Sequence, residues 1–193
     1  MIGKSMNGID SAGNYPRPGA GGYIIKITKA TNNMSKERTE FEFDIAEGLF
    51  AGYYRELYDR AKFWGGNFSK SFSDKALPFY KGFVEMILES NVDTDGLVIG
   101  NYDDIDETKF VGKLIGMAVG EKEYIGNDGV KKTKLDTYNA EFVTVEDLRA
   151  GNFKVPDFVP LEEEPKPTTG NVVDTTVQDP TEHYSDPEED CPF

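Results

Sequence analysis

GYIIKITKATNNMSKERTEFEFDIAEG, residues 22–48, decides how the rest of the chain is read. Successive side chains of a strand point to opposite faces, so a residue set repeating every two positions marks one buried face. Phe41, Phe43 and Ile45 repeat in this way, separated by Glu42 and Asp44. The run from Tyr23 to Thr31 is rich in β-branched and aromatic residues and alternates in part. Between the two runs, TNNMSKE is built of turn formers, which predicts an antiparallel pair joined by a short connection.

Working outward, the same pattern returns near the other end of the body. KFVGKLIGMAVGEKEYI (109–125), GNDG (126–129) and VKKTKLDTYNAEFVTVEDL (130–148) predict a long strand, a Gly-containing connection and a second long strand. Gly112, Gly116 and Gly120 fall every four residues along the first of these, where a curled sheet needs bulges or bends. Between the two pairs, Phe79, Phe83, Val84, Ile87 and Leu88 follow Pro78 at helical spacing and predict a helix ending near Asn91. KFWGGNFSKSF (62–72) reads as a loop. About five strands with a helix inserted between the third and fourth predict a mainly β fold, a small Greek-key β-barrel of the OB type. An open α+β sandwich fits the same elements. The expected organisation is a flexible arm over 1–19, an OB-like domain over 20–158 and a disordered, Pro-rich, acidic tail over 159–193.

Charge separates along the chain. There are 35 acidic and 21 basic residues, a net of −14, which taken globally argues against a nucleic-acid partner. Residues 161–193 hold ten acids against Lys166 alone, a net of −9, so the first 160 residues carry only −5. The body is therefore free to bind an anion. Cys191 is the sole cysteine and His183 the sole histidine, both in the acidic tail. That removes an internal disulfide, a thiolate zinc cluster and a His-based nucleophile system as expectations for the body. No stretch approaches the ~20 apolar residues of a membrane span, and no signal-peptide pattern opens the chain, so a cytoplasmic protein with no membrane partner is expected.

The densest chemical signal runs from Tyr53 to Lys81, where nine aromatic residues are interleaved with six basic ones. Unpaired bases stack on flat rings and phosphates follow cations, the two ingredients of a single-strand site. Within this stretch Lys62, Phe63, Trp64, Phe68 and Lys70 are the candidate contacts, because the glycines at 65 and 66 permit close approach. The competing reading makes most of these rings core. A second basic set, Lys113, Lys131, Lys132 and Lys134 with Tyr124, lies on the last strand pair; its competing reading is a lysine-guarded sheet edge. The acidic run Asp103, Asp104, Asp106 and Glu107 invites a metal-nuclease reading, although adjacent carboxylates in one segment more often form a solvated turn. No cofactor and no resident metal are expected.

The sequence closes on DPEEDCPF, residues 186–193. A terminal Phe can enter an apolar pocket while its carboxylate meets an arginine and the preceding acids meet a basic rim. Glu188, Glu189, Asp190, Cys191, Pro192 and Phe193 resemble the acidic C-terminal tip of bacterial single-stranded DNA-binding proteins, with Cys191 in place of the usual aliphatic residue. The body, in YIIKITKATNN and RTEFEFDIAEG, looks like single-stranded DNA-binding proteins encoded by bacteriophages. That resemblance implies a non-enzymatic protein that coats single-stranded DNA and recruits replication and recombination proteins through Glu188, Glu189, Asp190, Pro192 and Phe193. Self-association stays open. The alternatives are an acidic DNA mimic and the nuclease built on residues 103–107.

Overall fold

The structure is a computed structural model of the chain and describes residues 16–94, 97 and 106–161. Residues 1–15 of the arm expected over 1–19, Asp103, Asp104, and the tip residues Glu188, Glu189, Asp190, Pro192 and Phe193 lie outside the described residues. The chain divides into two units, residues 1–161 and 162–193, and all described residues belong to the first.

The opening stretch forms strands β1 (Gly21–Asn33) and β2 (Arg38–Ile45), linked by a single 3-10 turn at Met34–Lys36. Along β2 the pattern is strict: Thr39, Phe41, Phe43 and Ile45 are buried and their neighbours are not. The broken alternation of β1 has a structural cause. Its register against β2 shifts between Ile27 and Lys29, so Ile25 and Ile27 face inward before the bulge and Ala30 and Asn32 after it. A bulge of this kind bends the strand and deepens its twist.

Helix α1 (Tyr53–Ala61) follows, an element absent from the sequence reading. Its own N-cap is Gly52, which offers no side-chain acceptor, and Asp44 supplies one from β2. The Asp44 carboxylate accepts from the Tyr54 and Arg55 amides at 2.9 and 3.2 Å, and a carboxylate there also complements the helix dipole. Strand β3 (Asn67–Ser71) pairs with β2, so of the expected 62–72 loop only residues 62–66 and Phe72 lie outside a strand. Helix α2 (Leu77–Ser90) matches its expected span, with Pro78 in the first turn, where proline's missing N–H is harmless. Its buried face is Tyr80, Phe83, Val84 and Ile87.

The two long strands expected after residue 109 are each broken in two. The first becomes β4 (Leu114–Val119) and β5 (Glu121–Ile125), the second β6 (Lys131–Leu135) and β7 (Glu141–Val143), with α3 (Val145–Ala150) closing the domain. The break falls at Gly120, where a Cβ would lie 2.5 Å from the Pro156 carbonyl oxygen. One antiparallel sheet has the order β3-β2-β1-β4-β7, while β5 and β6 form a separate two-stranded ribbon. The parallel bridge of Lys122 to Val159 adds the end of the described chain to that ribbon.

Strands β3 and β7 sit at opposite edges of the sheet yet meet through side chains. Phe68 packs 4.8 Å from Phe142, and Thr137 donates to the Asn67 carbonyl at 2.7 Å. Helix α2 fills the gap between them, with Phe83 edge-on to Phe142 at 5.2 Å. At its end the Asn91 amide copies a strand partner, accepting from the Leu114 amide and donating to the Leu114 carbonyl. A three-strand meander, a helix, and a last strand pair returning to β1 is the OB-like arrangement that the sequence predicts. None of the described helices is long and apolar enough to cross a membrane.

Candidate nucleic-acid interface

The loop between α1 and β3 is shaped by steric necessity. The Gly66 carbonyl accepts from the Phe43 amide at 2.8 Å, and a Cβ on Gly66 would lie 2.3 Å from the Phe43 carbonyl oxygen. Only glycine lets the loop lie this close to β2, and Trp64 locks the turn by donating its indole N–H to the Gly66 carbonyl at 2.9 Å. Lys62 ends α1 in the left-handed region, φ 55°, with its ammonium 5.5 Å from the Tyr58 ring. This geometry throws Phe63 outward, 62% exposed, and leaves Trp64 half-buried.

Phe63 stands on one wall of a groove of about 600 Å³. Tyr53 and Leu57 of α1 share that wall; the opposite wall is the β5–β6 ribbon, with Tyr124 and Lys134; Arg17 and Tyr138 lie at its margins. Cross-strand pairing puts Lys122 opposite Lys134 and Tyr124 opposite Lys132, so these four side chains share one ribbon face. Lys134 rests 4.9 Å above the Tyr124 ring without an ion pair, and Arg17 is exposed with no carboxylate partner among the described residues. Lys122 differs, because its ammonium is bonded to the buried Asp136 carboxylate. Burial pushes the Asp136 pKa up, but the bonds from Lys122 and Asn139 outweigh it and hold the group ionised below the usual range.

The expected contacts therefore divide. Phe63, Tyr124 and Lys134 converge on the groove, with Lys62 and Trp64 in the loop that forms its rim. Phe68 does not join them: it is 2% exposed and stacked on Phe41 at 4.8 Å, because position 68 falls on the inward face of a strand rather than in a loop. Lys70, two residues on, shares that inward face. Its ammonium lies 4.1 Å from the Phe142 ring and 5.5 Å from Phe83, and burial lowers its pKa to about 8. Lys113 is withdrawn too, its side chain only 12% exposed and bonded to the Asp93 carbonyl. Lys131 and Lys132 sit on the ribbon but are paired with Glu123 at 3.1 Å and Asp128 at 2.7 Å.

Arg17, inside the stretch expected to be an arm, is a groove residue that the sequence does not single out, as are Leu57 and Glu121. For Arg17 the signal was the adjacent Pro18, which is buried and fixes the chain just before β1. Of the acidic run, Asp106 accepts from the Thr108 side chain and amide, which holds its carboxyl below the usual range, and Glu107 accepts from Asn32 at 3.1 Å. Both carboxylates thus fasten the turn before β4. Among the described residues no group of three His, Cys, Asp or Glu is placed to hold a metal ion.

A second, smaller groove of about 370 Å³ crosses the outward face of β1, β2 and β3. Asn67 and Tyr138 border both grooves, and the Tyr138 hydroxyl donates to Asn67 Oδ1 at 3.1 Å. Fold and site together define an OB-like module with a groove lined by Arg17, Lys134 and the rings of Tyr53, Phe63, Tyr124 and Tyr138. No protein-family model matches the chain, and the search of curated proteins finds no match either.

Proposed function

We propose that the chain is a single-stranded DNA-binding protein that acts by binding rather than catalysis. The observation that carries this reading is the larger groove, where Arg17 and Lys134, neither in an ion pair among the described residues, stand with Glu121 among the rings of Tyr53, Phe63, Tyr124 and Tyr138. Bases stacked on such rings gain about 1–3 kcal/mol each, with little dependence on sequence. Each phosphate neutralised releases counterions, so affinity falls with salt at a slope of roughly −0.7 per contact. The acidic segment after Leu161 has the complementary task in this reading: Phe193, Pro192 and the acids Glu188, Glu189 and Asp190 recruit replication and recombination proteins to coated strands.

Trp64 gives the direct test, since it lies in the same loop as Phe63. Titration with a single-stranded oligonucleotide at two salt concentrations should change Trp64 emission and show affinity weakening as salt rises. Unchanged emission together with no salt-dependent binding would refute the proposal. Deleting Phe193 should spare DNA binding and abolish capture of replication proteins; collapse of DNA affinity would overturn the division between body and tail.

A further inference from the structure

The second groove differs in chemistry from the first, and we infer that it reads base edges, favouring cytosine over thymine. The inference rests on the single-stranded DNA reading above. Lys29 and Arg38 meet Glu40 and Glu42 there, so the groove is charge-balanced and has no surplus cation for phosphates. What it offers instead is a pair of fixed acceptors. Glu42 takes Lys29 on Oε1 at 3.0 Å, and Glu40 takes Arg38 on Oε1 at 2.6 Å together with Asn33 at 3.3 Å. The Oε2 atom of each has no partner among the described residues, although the two side chains are 40% and 44% exposed. The bonds from Arg38 hold Glu40 below the usual carboxylate range, so it remains an acceptor.

A carboxylate oxygen held by its twin and open to a ligand selects an amino donor. Cytosine presents N4–H₂ to such an oxygen. Thymine presents carbonyl oxygens on either side of its N3–H, and these repel the carboxylate. Glu40 and Glu42 are two residues apart on β2, about 6.8 Å, twice the ~3.4 Å rise of stacked bases, so each meets a different base of an opened strand. Trp64 and Tyr138 border the same groove and supply the flanking rings. The strand would run from the larger groove, where other bases stack, across Asn67 and Tyr138 onto this face.

Oligo(dC) and oligo(dT) make the clean comparison, since both are weakly stacked pyrimidines. Fluorescence anisotropy with labelled oligonucleotides of equal length at one salt concentration should give about tenfold tighter binding of dC. In the Glu40→Ala/Glu42→Ala variant the ratio should fall toward one, with dT binding tighter than in the parent because Lys29 and Arg38 are released toward phosphate. Equal binding of both oligonucleotides, or preference for dT, by the unmodified protein would overturn the inference and leave the proposed function standing. If neither oligonucleotide binds at low salt, the proposed function falls and this inference with it. The ratio in the unmodified protein needs no variant, so instability of the double variant cannot obscure the result.

Discussion

Lys70→Met should stabilise the protein at neutral pH, and by an amount that the structure sets. Burial among the Phe142 and Phe83 rings lowers the Lys70 pKa from 10.5 to about 8. At 1.36 kcal/mol per unit, and allowing for the part of the side chain still open to water, the folded state is penalised by about 2–3 kcal/mol at pH 7. Methionine keeps the length of the side chain without the charge, and losing the cation–π contact removes about 0.5–1 kcal/mol, leaving a net gain of about 2 kcal/mol. The pH dependence follows from linkage. Below pH 8 the amine is protonated in both folded and unfolded chains, so the folded state carries the whole penalty. Between about 8 and 10.5 the unfolded chain keeps the proton while the folded chain releases it, and the stability of the parent rises with pH. Urea denaturation at pH 7.0 and 9.5 should therefore show a gap of about 2 kcal/mol that nearly closes at the higher pH. A variant no more stable than the parent at pH 7, or a gap indifferent to pH, would refute the reasoning. Because Lys70 faces inward, the salt slope of DNA binding should not move in this variant.

Three further outcomes separate the groove from the core. Phe63→Ala should weaken oligonucleotide binding by about 1–3 kcal/mol with little change in melting temperature, whereas Phe68→Ala should cost about 3–5 kcal/mol of stability, as thermal melts and titrations of both variants will show. Lys134→Ala should lower the magnitude of the salt slope by about 0.7 and weaken dC and dT alike, read from affinity against salt concentration. Gly66→Ala should destabilise the fold by about 2–4 kcal/mol in urea denaturation, since the added carbon collides with the Phe43 carbonyl and the Tyr54 ring, 2.7 Å away.

Strand β2 was legible because one face is core and the other is open, so burial prints itself on the sequence at every second residue. Helix α2 was legible for the same reason at helical spacing. Helix α1 was not, because only Tyr54 of its nine residues is buried and its cap comes from Asp44, nine residues before it. The loop over 62–72 was overextended because NFSKS carries one buried aromatic and otherwise polar residues. Its pairing with β2 supplies the strand that its composition does not.

By itself the sequence determined the mainly β architecture, the inserted helix, and a separation of charge that leaves only −5 on the first 160 residues, because periodicity and composition are local properties. The tertiary structure alone decided which cations are held in close contacts among the described residues. Lys113, Lys122, Lys131 and Lys132 look alike in sequence to Lys134, but a carboxylate or carbonyl brought close by folding occupies each of them, and Lys134 meets a ring instead. The same holds for the aromatics: Phe63 and Phe68 lie five residues apart, and the turn at Gly65–Gly66 sends one to solvent and the other to the core. Whether a side chain is available to a ligand depends on what the rest of the chain packs against it.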